Sequence, residues 1–394
     1  MKIIYVSSLI SPKKINYIIN NSKAKPLQSV QKYHRLICEG LVKNGIDVQT
    51  LSAIPMSPKI SNKKIWFDKK EKENGVVYKY IPFINIKIIR QICLCFFLIL
   101  KLFKQCIIKR KDKVFICDIL NTTIATITLM FCKLFRIKCI AIVTDLPRDI
   151  GKEKSLSRKM NEYFQDKYDA YILVTKYMNE VVNNKNKKPY IVIEGLVDIN
   201  TKIDSNIKKY PNNVCMYAGG LYEKYGVKML IDAIIKIKSY DVKLLLYGSG
   251  DLVDYIKSLN SDKIIYKGVV TNDIILEEER KVSILINPRF TTEEYTKYSF
   301  PSKNIEYMLS GTPLLTTKLP GIPTEYFDYN YVFALENTID YEEKIIEVLN
   351  KTSEELMMKG LLAQKFVLEN KNNILQSKKI IKFIEGLRVQ GEKK

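Results

Sequence analysis

The chain has 394 residues, more than one hydrophobic core usually organises, so two domains are expected. Its 46 % apolar and 27 % charged residues exclude a disordered or fibrous protein. A formal net charge of +22 narrows the partners to nucleic acid, an anionic membrane surface or phosphorylated ligands, without choosing among them.

Ile3 to Val6 is a short apolar run suited to a buried parallel strand, and Met1 to Ser8 is expected as this strand rather than a signal peptide. A polar loop is expected through about Lys25. Gln28 to Lys43 has helical spacing, with Val30, Tyr33, Leu36, Ile37 and Leu41 on one side. Gly45 to Leu51 returns to strand. Strand, helix and strand in alternation are the pattern of a parallel sheet wrapped by helices.

Residues 85–113 break this rhythm. Ile92 to Leu100 is nine consecutive apolar residues, too short to span a bilayer. Eight basic residues (Lys87, Arg90, Lys101, Lys104, Lys109, Arg110, Lys111, Lys113) accompany a single acid, Asp112. Two readings stand side by side. One is a basic apolar helix lying on an anionic membrane; the other is a core helix with a solvated basic end.

Strands are predicted at Lys113–Cys117, Cys139–Val143, Ala170–Val174 and Tyr190–Ile193. A mostly polar linker with Pro211 follows over 202–213. A second set then begins: strands at Val214–Ala218, Val242–Tyr247, Ile264–Lys267, Val282–Ile286 and Leu314–Thr316, with helices at 226–237 and 252–259. Glu354 to Leu387 is mostly helical. These elements give an α/β protein of two doubly wound, Rossmann-like domains over 1–203 and 204–374, with a C-terminal helix in 375–394.

Eight cysteines, mostly in apolar strings, contain no CxxC pair, and His34 is the lone histidine. A zinc site is therefore not expected. Buried reduced thiols are, which suits a cytosolic location. His34 lies mid-helix and is read as structural.

The strongest local signal is Tyr298-Ser-Phe-Pro-Ser-Lys-Asn-Ile-Glu-Tyr-Met-Leu-Ser-Gly-Thr-Pro313. Pro301 suits the first turn of a helix, Ser299 its cap, and Gly311 its end. The free N–H groups of that first turn, from Ser302 on, would face an anion. Lys303 sits in the same turn, where a cation opposes the helix dipole unless an anion is held nearby. Glu306, three residues on, suits ribose hydroxyls or a simple ion pair with Lys303. Two glycine turns, Gly219-Gly220 and Tyr247-Gly248-Ser-Gly250, end predicted strands, where open α/β sheets bind ligands. Asn287-Pro-Arg289 ends another and offers a bidentate phosphate donor. In the first half, Asp145 follows a strand in Val143-Thr-Asp-Leu-Pro147. It reads either as an acceptor-side acid or as a turn former.

Tyr217-Ala-Gly-Gly-Leu with Gly226, Leu246-Tyr-Gly-Ser-Gly250 and Phe300 to Pro313 together resemble the family-4 retaining glycosyltransferases of the GT-B fold. The nearest branch builds bacterial surface polysaccharides. The resemblance is strong over 214–326 and looser before it. It implies two Rossmann-like domains facing each other across a cleft, with the donor nucleotide sugar on the C-terminal one and the acceptor on the N-terminal one. It also implies no metal or other cofactor, and a final helix that crosses back. Glu306 matches the family's ribose-holding glutamate, Gly219 and Gly220 its diphosphate turn, and Tyr247, Gly248 and Gly250 its base-side loop.

Three positions depart from the family. Tyr298 stands where a glutamate is usual, Gly220 where an arginine is, and Tyr225 where a lysine is. Lys303 and Arg289 are the expected replacements for the missing cations, with Lys224 a third; Glu293 or Glu294 would replace the carboxylate. The expected catalytic set is thus Lys303, Arg289 and Asp145. Gly219, Gly220, Tyr247, Gly248, Gly250, Asn287, Tyr298, Ser302 and Glu306 would hold the donor. The expected reaction moves a hexose-type sugar to a lipid-linked or oligosaccharide acceptor at the inner membrane face. The alternatives are a nucleotide-sugar epimerase of the same fold, or a non-enzymatic membrane- or nucleic-acid-binding protein. No helix-turn-helix, RNA-reading aromatic signature or zinc spacing supports a nucleic-acid partner.

Overall fold

A computed structural model describes residues 1–22, 28–108, 112–146, 156–201, 207–211 and 213–392. The chain divides into two compact units, one of residues 1–196 with 373–394, the other of 197–372. The sequence-based boundaries after 203 and 374 fall a few residues later than these. Half of the expected linker, with Lys109, Arg110, Lys111 and Pro147, lies outside the described residues.

The first unit runs β1 (Lys2–Ser7), α1 (Pro12–Asn21), α2 (Gln28–Lys43), β2 (Asp47–Ser52), β3 (Ile65–Trp66), β4 (Glu71–Glu73), β5 (Val76–Tyr78), β6 (Phe83–Ile84), α3 (Lys87–Ile107) and β7 (Lys113–Asp118). It continues with α4 (Thr122–Leu134), β8 (Lys138–Val143), α5 (Leu156–Phe164), β9 (Ala170–Leu173), α6 (Met178–Val182) and β10 (Tyr190–Val192). Eight strands form one sheet in the order β10-β9-β8-β7-β1-β2-β5-β4, parallel except where β4 meets β5. β3 and β6 form a separate antiparallel pair, in which the rings of Trp66 and Phe83 stack.

Residues 12–21, expected as loop, are helical. Ser11 caps this helix by accepting the Lys14 amide at 3.1 Å, and Pro12 sits in its first turn. His34 is buried between Tyr5, whose hydroxyl lies 2.6 Å from its Nδ1, and Asp118, whose Oδ2 lies 3.5 Å from its Nε2. The last helix, Asn373–Glu392, belongs to this unit and lies against α2. Ser377 donates to the Ile37 carbonyl at 3.0 Å and Asn44 to that of Ile374 at 2.9 Å.

The second unit runs β11 (Asn213–Ala218), α7 (Val227–Lys236), β12 (Val242–Tyr247), α8 (Val253–Ser258), β13 (Ile264–Gly268), α9 (Asn272–Lys281), β14 (Ile284–Asn287), α10 (Ser302–Ser310), β15 (Leu314–Thr316), β16 (Tyr331–Val332), α11 (Thr338–Leu349) and α12 (Ser353–Asn370). The final helix of the first unit is then α13. Six parallel strands form a sheet in the order β13-β12-β11-β14-β15-β16. In strand numbering within the unit this is 3-2-1-4-5-6, the doubly wound order. One core fills each face. Val227, Leu230, Ile231 and Ile234 of α7 pack on one side, and Ile305, Met308 and Leu309 of α10 on the other. All eight cysteines are free thiols; Cys93 and Cys95 on α3 are half-buried and the rest buried.

Candidate active site

Strand order fixes where a ligand binds in such a sheet. The order reverses between β11 and β14, and the crevice beyond their carboxyl ends is the usual site. Gly219 and Gly220 leave β11 there, and Pro288 and Arg289 leave β14. The glycine turn after β11 and the Asn287-Pro-Arg289 exit of β14, read separately from the sequence, therefore converge for a topological reason.

The glycines have structural work of their own. Gly248 has φ +131°, and a Cβ on it would stand 1.8 Å from the Gly219 carbonyl oxygen. The Gly219 amide donates to the Tyr247 carbonyl at 3.0 Å, and Leu221 to that of Ser249 at 2.9 Å. The two turns thus lie backbone to backbone, which no side chain at 248 permits. A Cβ on Gly250 would likewise stand 2.2 Å from the Leu221 carbonyl oxygen. Gly226, at φ +74°, begins α7 with its Cβ position 1.9 Å from the Pro288 carbonyl oxygen, so α7 starts hard against the exit of β14.

Arg289 stands in a tyrosine cluster. Its Cζ lies 4.8 Å from the centroid of the Tyr225 ring, and Tyr225 in turn contacts Tyr222 and Tyr295 at 5.5 and 6.1 Å between centroids. Burial pushes the Tyr295 hydroxyl up to about 12, with Arg289 working against that rise, and Tyr217 is raised for the same reasons. Its backbone is pinned, because Thr317 Oγ1 donates to its carbonyl at 2.5 Å and the Thr291 amide donates to Glu336 at 2.7 Å. The Arg289 Nε is buried without a hydrogen-bond partner among the described residues. Lys224 lies farther out, its ammonium 5.4 Å from the Tyr225 centroid. Glu293 caps the 3-10 turn Glu294–Lys297, and Tyr298 ends it, half-buried.

The α10 helix starts differently from the sequence expectation. Pro301, not Ser299, occupies the cap position, and no side chain caps the helix. Ser302 is exposed at the first helical position. The amino end of a nine-residue helix is thereby left to bind something else. Tyr307 ties this helix to the end of β11: its hydroxyl accepts the Ala218 amide at 2.8 Å. Asn287 is buried and donates to the Asn304 side chain, which donates to Thr316 Oγ1 at 3.3 Å. Its amide thus joins β14 to α10 and β15.

Lys303 lies 2.9 Å from Glu306 and 3.7 Å from Glu279 of α9, whose side chain is fully buried. Burial alone would lower the Lys303 ammonium; Glu306 and Glu279 outweigh it and hold the group above its ordinary value. The site therefore carries a permanent cation. Sequence reasoning missed Glu279. Its signal was spacing: Ile275 and Glu279, four apart, are the two buried residues of α9.

The Tyr247 ring is buried and its hydroxyl donates to Glu278 at 3.0 Å, so only the backbone of that turn is free at the strand end. Asp145 follows β8 in the first unit and is half-buried.

Comparison with known proteins bears on these residues directly. Residues 212–351 match the family described as Glycosyl transferases group 1. The matched segment contains both glycine turns, Arg289, Glu279 and all of α10. An uncharacterized glycosyltransferase, MJ1607, of Methanocaldococcus jannaschii is 24 % identical over 172 residues, which are 38 % of this chain and 43 % of that protein. The match thus spans less than half of that relative's length. The whole chain superposes on a sucrose-phosphate synthase from Thermosynechococcus elongatus with TM-score 0.71 and 13 % identity, covering 99 % of this chain and 100 % of that one. HepE of Anabaena, in complex with UDP, gives TM-score 0.64 and 12 % identity over 98 % and 100 %. At such identities the likeness establishes the fold, GT-B, and the segment matched to the family lies in its second Rossmann-like unit.

Proposed function

We propose that the chain transfers a sugar from a nucleotide-diphosphate donor to a lipid-linked or oligosaccharide acceptor. The proposed setting is synthesis of a bacterial capsule, O-antigen or exopolysaccharide, at the cytoplasmic face of the membrane. The observation that supports it most is the convergence at the β11/β14 switch point. On this reading the glycine turns, Arg289 and the uncapped amino end of α10, with Lys303 in its first turn, serve as one anion-facing surface, in a segment that matches a glycosyl transferase family.

The chemistry asks for such a surface. The bond between the anomeric carbon and the diphosphate oxygen breaks, and its electron pair leaves with the diphosphate. Positive charge develops on the sugar ring, as in glycoside hydrolysis. The acceptor hydroxyl bonds to the anomeric carbon, with retention of configuration, and its proton passes to a base. Arg289, Lys303 and the α10 amides stabilise the departing diphosphate, and Glu306 holds the ribose. Asp145 is proposed on the acceptor side, and no metal or other cofactor is assigned.

A panel of nucleotide-diphosphate sugars, read by thermal stabilisation and then by transfer to lipid-linked acceptors, tests this reading. Stabilisation by one donor and acceptor-dependent transfer are expected. Conversion of free nucleotide sugar without any acceptor would replace transferase by epimerase.

A further inference from the structure

The α3 helix has a buried row, Leu94, Leu98, Leu102 and Cys106, spaced four apart. On its opposite side a second apolar row faces solvent: Ile92, Phe96 and Ile107 are 62, 56 and 64 % exposed, with Ile88, Leu100 and Phe103 beside them. A globular protein seldom leaves so many large side chains in water on one element. The row continues onto α4, where Phe103 meets Phe131 at 5.0 Å and Leu134 is 72 % exposed. No described helix is long and apolar enough to cross a membrane.

One flank of this row is basic. Lys104 lies between Leu100 and Ile107 on the helix surface, four residues after one and three before the other. Lys101, one turn back, joins it at a cavity of about 250 Å³ whose wall also includes Lys70, Lys79, Tyr80 and Asp68. Asp68 is the only carboxylate there, and its Oδ1 is bound to Lys14 at 2.7 Å. None of the four lysines makes an ion pair within 4.0 Å among the described residues. Burial and then the surrounding lysines hold the Lys79 ammonium below its ordinary value; burial and then Lys104 do the same for Lys101. Such mutual repulsion is relieved by an anion.

We infer that the lysine-lined cavity and the exposed α3 row together bind an anionic bilayer, the cavity receiving a lipid phosphate and the row entering the acyl boundary. Charge complementarity selects this occupant, because four lysines line a cavity beside the exposed row, two of them, Lys101 and Lys104, on α3 itself, and basic residues flanking an apolar face are the pattern of an interfacial lipid-binding helix. The inference rests on the membrane-side reading above and gives it a site.

The test uses the full chain and co-sedimentation with phosphatidylcholine vesicles, with and without phosphatidylglycerol. Capture by the anionic vesicles alone is expected. The Lys79→Gln/Lys101→Gln/Lys104→Gln variant should lose on the order of 100-fold in partitioning, each lysine contributing several-fold. Ile92→Ser/Phe96→Ser changes only exposed side chains, keeps every lysine, and should also lose capture. Equal binding to neutral vesicles would overturn the inference. So would unchanged capture of the serine variant combined with stabilisation of the wild type by inorganic phosphate, which would mark a site for free phosphate. Nucleotide-diphosphate stabilisation is measured on the same wild-type preparation. Its absence would count against the transferase reading, while vesicle capture would still support the lipid site.

Discussion

The guanidinium of Arg289 lies over the ring of Tyr225, 4.8 Å from its centroid. Tyr225 stands where the resembled family carries lysine, so a cation is supplied at that place from another strand end. The tyrosine cluster shields it from water, which strengthens its attraction for an anion.

Arg289→Ala is therefore expected to cut transfer by about 10²–10³ while leaving the melting temperature nearly unchanged, since Arg289 is held through its backbone. Arg289→Lys should recover only part of the loss, because a point charge cannot give the planar bidentate contact. Steady-state kinetics with a saturating donor checks this. Wild-type turnover in the alanine variant would remove Arg289 from the mechanism.

Lys303 links stability to activity. Lys303→Ala takes a counter-charge from the fully buried Glu279 and should cost on the order of 1–3 kcal/mol as well as transfer. Lys303→Ala/Glu279→Gln should restore the stability but not the transfer. The sign of the pH effect follows from a raised ammonium. The stabilisation is complete below the ordinary value of 10.5 and is lost as pH rises through the higher folded value. Denaturation curves across neutral pH should then show a constant gap between wild type and Lys303→Ala/Glu279→Gln, which leaves no unpaired carboxylate at 279. A gap that closes between pH 6 and 8, a range about neutrality well below that titration, would contradict the pairing.

Gly248→Ala should be far worse than Gly268→Ala. Both positions have positive φ, +131° and +73°, but a Cβ at 268 meets nothing within 4 Å while one at 248 stands 1.8 Å from a carbonyl oxygen. Gly268→Ala should cost about 1 kcal/mol, from backbone strain alone. Gly248→Ala should separate the two turns and abolish nucleotide binding. Equal melting temperatures for the two variants would show that the turns yield easily.

Transfer is expected to persist after exhaustive chelation with EDTA, because Arg289, Lys303 and the α10 amides are assigned the charge of the leaving diphosphate. Loss of activity on chelation, restored by one divalent ion, would reassign that charge to a metal.

Much of the second unit was legible in the sequence because its signals are local. Short apolar runs ending in glycine give strands and their exits, and Gly311 marks the end of α10 by needing positive φ, here +78°. Residues 12–21 were missed because this short helix is polar on average and buries only Ile18, although Ser11 and Pro12 announce its start. Ser299 was misplaced as a cap by two residues, a boundary error that periodicity cannot correct.

By itself the sequence determined the α/β rhythm, the two-unit plan and the stretch from Phe300 to Pro313, since each is written in spacing along the chain. Only the tertiary structure decided what stands beside what. It buried Glu279 under Lys303, turned the Tyr247 hydroxyl to Glu278, laid Arg289 on Tyr225 and left one apolar row of α3 in water. Those outcomes depend on strand order and on which faces of distant elements meet, and no local period encodes them.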